Sequence, residues 1–298
     1  MAHNDLSKTP SSLALYTRAA ERSSAEIIAA YSTSFGWATN LLSKDVAVEV
    51  RNIYAMVRVA DELVDGAADE ALAGKSGLSA RALLDEFESE TYRALDSGFS
   101  ANLVLHAFAV TARKVGITRE LVTPFFDSMR MDLDPQVFDQ QSFEKYIYGS
   151  AEVVGLMCLQ AFLHDVKLTP KQKADFVRSA RALGSAFQKV NFLRDLAADF
   201  KVLGRSYFPG VRIDSFDEAE KQRLVADIND ELRVSAESLP NLPKNSRRAV
   251  AAAQMFFTEL NNQIGKAPAD RLISERIRVS NPRKVGILIR AWFGVLPK

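Results

Sequence analysis

At 298 residues, 47% of them hydrophobic, the chain has material for one large core and the composition of a globular protein, which excludes a disordered one. Its 38 basic and 37 acidic residues leave a formal charge of +1, which excludes the broad cationic field that phosphate-backbone binding needs, so no nucleic-acid partner is expected. A single cysteine, Cys158, excludes an internal disulfide and fits a reducing compartment.

No proline occurs between Pro10 and Pro124, and apolar residues there recur every three or four positions, the period of a helix and not of a strand. The patterning predicts helices at 12–41, 44–65, 79–96, 100–116, 118–133, 141–165, 170–200, 216–237, 246–265 and 283–295, with most of the remaining prolines between them. Residues 66–77 (GAADEALAGKSG) are small and polar and read as a mobile loop. With no repeat of fixed period and no low-complexity tract, an all-α helical bundle of one domain is the simplest architecture. No run approaches the ~18–20 uninterrupted apolar residues of a spanning helix. The start of the chain lacks the basic-then-apolar pattern of a secretion signal, so a cytoplasmic protein is expected.

Two otherwise apolar helices carry polar stripes. In DVAVEVRNIYAMVRVADELVD (45–65), Tyr54, Arg58, Asp61 and Asp65 follow one another at steps of four, three and four. In FQKVNFLRDLAAD (187–199), Gln188, Asn191, Asp195 and Asp199 form a like stripe at steps of three, four and four. Aspartates at i and i+4 repel each other, and bound cations would remove that conflict. Mg²⁺ takes hard oxygen ligands and is commonly held by one or two carboxylates together with substrate phosphates. One DxxxD pair alone reads as readily as a solvated acidic face. Here each pair has an arginine beside it, Arg58 or Arg194, suited to bidentate contact with phosphate. His3, His106 and His164 are too scattered to suggest a metal site.

The stretches YSTSF (31–35), IYAMVRVADELVD (53–65), MDLD (131–134), YIYGSAEVVGLM (146–157), QKVNFLRDLAAD (188–199) and GRSYFP (204–209) together resemble the phytoene and squalene synthase family, in its order and over nearly the whole chain. The resemblance implies the all-α bundle of an isoprenoid synthase with a central apolar cavity, one domain over 1–298 with a flexible N-terminus at 1–12. It implies that Asp61, Asp65, Asp195 and Asp199, with Asn191, carry two or three Mg²⁺ ions, Mn²⁺ being an alternative. Tyr54, Arg58, Gln188 and Arg194 would hold or flank diphosphate. Ser32, Thr33 and Ser34 match the family's loop over a diphosphate, and Tyr31 and Phe35 line the adjoining prenyl channel. Tyr146, Ala151, Val154 and Gly155 match the helix that leaves room for the chain; Tyr207 and the late Arg276 complete the substrate site. Glu62 and Ala198 stand where many members have Asp and Glu, and Phe257 where some have a tyrosine, but the four outer aspartates are intact.

The activity implied is a magnesium-dependent condensation of two prenyl diphosphates, most like the bacterial carotenoid branch: two geranylgeranyl diphosphates joined 1-1′ through a cyclopropyl diphosphate to phytoene, without NADPH. The alternatives are a squalene or dehydrosqualene synthase using two farnesyl diphosphates, a terpene cyclase or chain-elongating enzyme, and a non-catalytic helical prenyl-binding protein. The basic, apolar C-terminal stretch 283–298 reads either as a peripheral contact with the inner face of a membrane or as a last core helix.

Overall fold

Local capping chemistry fixes several of the helix ends. Asn102 accepts hydrogen bonds from the backbone N–H groups of Val104 and Leu105 at 3.0 and 3.3 Å. Ser79 and Asp217 cap two other helices through Ala82 N and Glu220 N, and Asp139 forms a reciprocal box with Ser142. Gly98 and Gly116 close their helices in the left-handed region, with φ of 78° and 82°. The computed structural model of the chain describes residues 10–73, 77–134, 137–203 and 207–297; the side chains of residues 33–35, 69, 198–203 and 213 lie outside the described set.

The helices are α1 Ser12–Tyr31, α2 Thr33–Thr39, α3 Lys44–Asp65, α4 Ala67–Leu72, α5 Ala80–Ser97, α6 Leu103–Val115, α7 Arg119–Asp132, α8 Gln140–Ile147, α9 Val153–Leu163, α10 Pro170–Leu203, α11 Glu218–Ala236, α12 Arg247–Lys266, α13 Ala269–Ser274 and α14 Asn281–Trp292. Among the described residues there is no strand.

Four features differ from the sequence reading, one of them the short helix α13, Ala269–Ser274, where none was expected. The helix expected over 12–41 breaks at Ser32, which is extended (φ −138°, ψ 103°). Ser32 is also hydrogen-bonded to Tyr54 of α3, and a short polar side chain that bonds elsewhere favours such a break. Within the supposed loop 66–77 a short helix, α4, begins just after Gly66. A side chain at Gly66 would collide with Glu62, whose carboxylate caps α4 by accepting from Ala67 N at 2.9 Å. The helix expected over 141–165 is interrupted by a π-helical turn, Tyr148–Glu152.

Apolar residues at helical spacing gather into separate clusters. Ile53, Met56, Ala60 and Val64 of α3 pack with Leu84, Phe108, Phe125, Phe126 and Met157. Val190, Leu193 and Leu196 of α10 pack with Ile228, Leu260 and Ile264. A third cluster joins Ala38, Phe176, Met255, Ile287 and Ala291. Each large side chain so buried contributes roughly 1.5–3 kcal/mol. The stretch Gln140–Leu163 is apolar enough in composition to span a bilayer, yet Ile147, Val153, Met157 and Ala161 are buried in these clusters. Between the clusters α3 and α10 stand apart, and the gap they leave is the cavity.

Candidate active site

The polar stripe of α3 and that of α10 face each other across this gap. Tyr54, Arg58, Asp61 and Asp65 form one wall of a chamber of about 340 Å³, and Gln188, Asn191, Arg194 and Asp195 form the wall opposite. Asp199 lies one turn beyond Asp195 on α10; its side chain lies outside the described residues. A second chamber of about 700 Å³ shares Tyr54, Arg58, Asn191 and Arg194 with the first. It continues between the aromatic rings of Trp37, Phe187, Phe256 and Phe257 toward Ile287 and Leu288 of α14. The shared polar residues thus form the waist of a cavity whose larger end combines these rings and aliphatic side chains with the cations Arg276, Arg278 and Lys284.

The carboxylates are closed by guanidinium groups. Arg58 donates from Nη1 to Asp61 Oδ2 at 2.6 Å, and from Nη2 to Glu62; its guanidinium also lies 4.4 Å from the centre of the Tyr31 ring. Arg194 donates to Asp195 Oδ2 at 2.6 Å, and Arg276 forms an ion pair with Asp195 Oδ1 at 2.7 Å. Burial pushes the Asp61 carboxyl above the usual carboxylate range, Arg58 pulls it back, and Asp65 and Glu62 add to the rise. Burial raises Tyr54 as well, against the pull of Arg58 and the bond to Ser32.

Among the described residues bordering the smaller chamber, Arg58 Nε, Ser150 Oγ and Asn191 Oδ1 are buried polar atoms without a hydrogen bond. Asn191 borders both chambers. A buried amide oxygen left so costs about 1–3 kcal/mol, and a cation is one group that would satisfy it. Among the described residues no three Asp, Glu, His or Cys side chains converge as a ready-made metal cage. The donors present are instead hard oxygens, Asp61 and Asp65 on one side and Asp195 and Asn191 on the other. That set fits Mg²⁺, which keeps waters and completes its shell with phosphate oxygens.

The floor of the smaller chamber is aromatic. Tyr207 stacks on Phe192 with ring centres 4.0 Å apart, and Tyr146 packs against both at 5.5 and 6.0 Å. Tyr146 Oη donates to Asp132 Oδ1 at 2.9 Å, both residues being buried. Burial, then the charge of Asp132, drives the phenol well above its ordinary value. It therefore stays a hydrogen-bond donor.

Of the residues singled out in the sequence, Tyr31, Ser32, Tyr54, Arg58, Asp61, Asp65, Tyr146, Gln188, Asn191, Arg194, Asp195, Tyr207 and Arg276 border this cavity. Thr33, Ser34 and Phe35 belong to α2, but their side chains lie outside the described residues. Ala151, Val154 and Gly155 lie outside the lining of these two chambers. A side chain at Gly155 would come within 3.0 Å of Ala180 O, and one at Gly184 within 2.7 Å of Ala151 O, so these small residues let the π turn and α9 lie close against α10. The π turn adds a residue to the helical repeat, which carries the residues of α9 about 100° further round the axis.

Sequence reasoning missed Asp132, Ser150 and Phe192. Asp132 sits in the MDLD stretch and was legible there only as part of a motif. Ser150, whose buried hydroxyl has no partner, is placed in the wall by the π turn.

A family model described as squalene/phytoene synthase matches residues 28–283. The chain is 24% identical to a 4,4'-diapophytoene synthase of Staphylococcus haemolyticus, over 87% of this chain and 91% of that one. It is 26% identical to a 15-cis-phytoene synthase of Paracoccus sp., over 90% of each. Among solved structures, a dehydrosqualene synthase in complex with ligand superposes with a TM-score of 0.76 at 24% identity, covering 94% of this chain and 98% of that one.

Proposed function

The chain belongs to the squalene/phytoene synthase family of enzymes, and on that footing we propose that it joins two geranylgeranyl diphosphates 1-1′, through a cyclopropyl diphosphate, to phytoene in carotenoid biosynthesis. The observation that carries the reading is the pair of acidic stripes lining one chamber, which opens into a larger one where aromatic and aliphatic side chains alternate with the cations Arg276, Arg278 and Lys284. Phytoene synthases among the relatives, one of them bacterial and of matching length, support the C20 substrate.

In this reading Asp61 and Asp65 from α3, with Asp195, Asn191 and Asp199 from α10, hold Mg²⁺, or Mn²⁺ in its place. When bound, the ions act as Lewis acids toward the departing diphosphate. Arg58, Arg194 and Arg276, which close the carboxylates, turn to the phosphate oxygens and carry part of the charge that gathers there. No protein nucleophile is needed: the allylic carbon–oxygen bond breaks, and the double bond of the second substrate captures the cation. Water would quench that cation. The rings of Phe192, Tyr207 and Tyr146 exclude it and present π faces to positive charge.

A C15 reading, dehydrosqualene from two farnesyl diphosphates, is supported by the diapophytoene synthase relative. The test is mass spectrometry of the hydrocarbon formed by the full chain from C15 and C20 diphosphates, with and without Mg²⁺ and NADPH. The expected result is a C40 hydrocarbon from the C20 substrate that needs Mg²⁺ and ignores NADPH. A C30 product formed only from the C15 substrate replaces it with the second reading. A cyclic C20 product, or none from either substrate, overturns both.

A further inference from the structure

The last helix has two apolar faces, and only one is covered. Ile287 and Ala291 are buried, and Ile287 and Leu288 line the larger chamber. On the other side Val285, Ile289 and Trp292, at steps of four and three, form a stripe that leaves them 46%, 53% and 56% exposed. Phe293, the next residue, is 78% exposed. Scattered apolar residues at a surface are ordinary, but two aromatic and two branched side chains turned outward together on one helix are not.

Charge says what this surface fits. From Arg276 to the end of the chain there are six basic residues, Arg276, Arg278, Arg283, Lys284, Arg290 and Lys298, and not one acidic. Arg283 and Arg290 are exposed on α14 itself, and the Arg248 guanidinium of α12 lies 5.8 Å from the centre of the Trp292 ring. A second copy of the chain docked here about a twofold axis would set Arg248 and Arg290 near their own copies, with no carboxylate from α14 to offset them. An anionic bilayer offers the opposite: phosphates for the cations, acyl chains for the stripe, and the interfacial depth at which tryptophan is favoured.

We propose that α14 docks on an anionic membrane surface, with Val285, Ile289, Trp292 and Phe293 entering the acyl boundary and Arg248 and Arg290 at the headgroups, Arg283 being paired with Glu259 of α12. The inner face of the same helix borders the larger chamber through Ile287 and Leu288, so docking brings that end of the cavity to the bilayer and gives a water-insoluble product a short way out. That last step rests on the proposed reaction, whereas the docking does not.

The test is co-sedimentation of the full chain, without substrate, with vesicles of phosphatidylglycerol and phosphatidylcholine or of phosphatidylcholine alone. The wild type is expected to pellet with the anionic vesicles, less so in high salt, and to stay in solution with the neutral ones. The double variant Trp292→Glu with Phe293→Glu should bind about tenfold more weakly, and Arg290→Ala should fall between. With detergent-dispersed substrate the double variant should turn over as the wild type does, because neither residue borders the cavity. Wild type that stays in solution with both vesicles overturns the proposal, as does a double variant that pellets equally well. A wild-type dimer that the double variant converts to monomer assigns the surface to a second copy instead. Vesicle binding by a chain that forms no hydrocarbon would leave the docking standing and remove the reaction.

Discussion

Arg276 reaches back across 81 positions of sequence to Asp195, donating from Nη2 to Oδ2 at 3.3 Å with Nε paired to Oδ1 at 2.7 Å, while the neighbouring Arg194 donates to Oδ2 at 2.6 Å. Asp195 is therefore gripped from two directions, one local and one set by the fold. Arg276 is half exposed, and exposed ion pairs contribute little to stability. Arg276→Ala should leave the melting temperature within a degree or two, while kcat/KM falls roughly 10–100-fold, the equivalent of ~1.5–3 kcal/mol for a charge-assisted contact. Steady-state kinetics beside a thermal melt checks this; an unchanged kcat/KM would remove Arg276 from the site.

Asp61 combines a raised carboxyl pKa with an acidic neighbour at i+4. A carboxyl whose pKa is higher in the folded than in the unfolded chain favours folding once protonated, and that gain is lost as pH rises through the folded value. In EDTA, Asp61→Asn should thus be more stable than wild type at pH 7, by a few tenths of a kcal/mol. The difference should shrink as pH falls toward the ordinary carboxylate value of 3.8. Turnover of the same variant should drop by about three orders of magnitude, as should that of Asp195→Asn. Denaturant melts across pH together with product assays decide it, and a variant less stable at neutral pH would contradict the charge argument.

The unpartnered Oδ1 of Asn191 separates function from stability in a similar way. Leucine is of comparable length and has no buried acceptor to satisfy. Asn191→Leu should keep or raise stability, by up to ~1 kcal/mol, while the Mg²⁺ needed for half-maximal turnover rises about tenfold or more. Metal titration of activity is the measurement. A variant that unfolds would show that Asn191 holds the helices together instead.

Gly149 is required by packing. A methyl group there would lie 2.0 Å from Pro124 O and 2.2 Å from Ser128 Oγ, so α7 and the π turn meet backbone to backbone. Gly149→Ala must push them apart, at a cost of about 1–3 kcal/mol or more, and should displace Tyr146 and Ser150, which lie on either side of it. A lowered melting temperature with reduced turnover is expected. Gly286, with nothing within 4 Å of the added atom, is the control, and Gly286→Ala should be silent or slightly stabilising.

How far the sequence could be read depended on the range of the interaction. The helices were legible because a 3.6-residue period is written within a few turns, and the two acidic stripes because i and i+4 share a face whatever the rest of the chain does. Ser32, the π turn and Asp132 were not. The break at Ser32 involves a bond to Tyr54, and the buried partner of Asp132 is Tyr146, 14 positions on across a loop. The π turn shifts the register without any residue type that announces it. The close approach of Gly155 to Ala180 and of Gly184 to Ala151 likewise joins α9 and the π turn to α10, a contact that no local pattern announces.

The sequence by itself determined that the chain is helical, which faces of α3 and α10 are acidic, and which arginines accompany them, since all of this is local geometry and composition. Only the tertiary structure decided that the two stripes face one another, that Arg276 joins them, and that α14 shows hydrocarbon to the cavity and to solvent at once. Those relations depend on how distant helices pack, and packing is set by the fit of whole surfaces, which no stretch of a few turns contains.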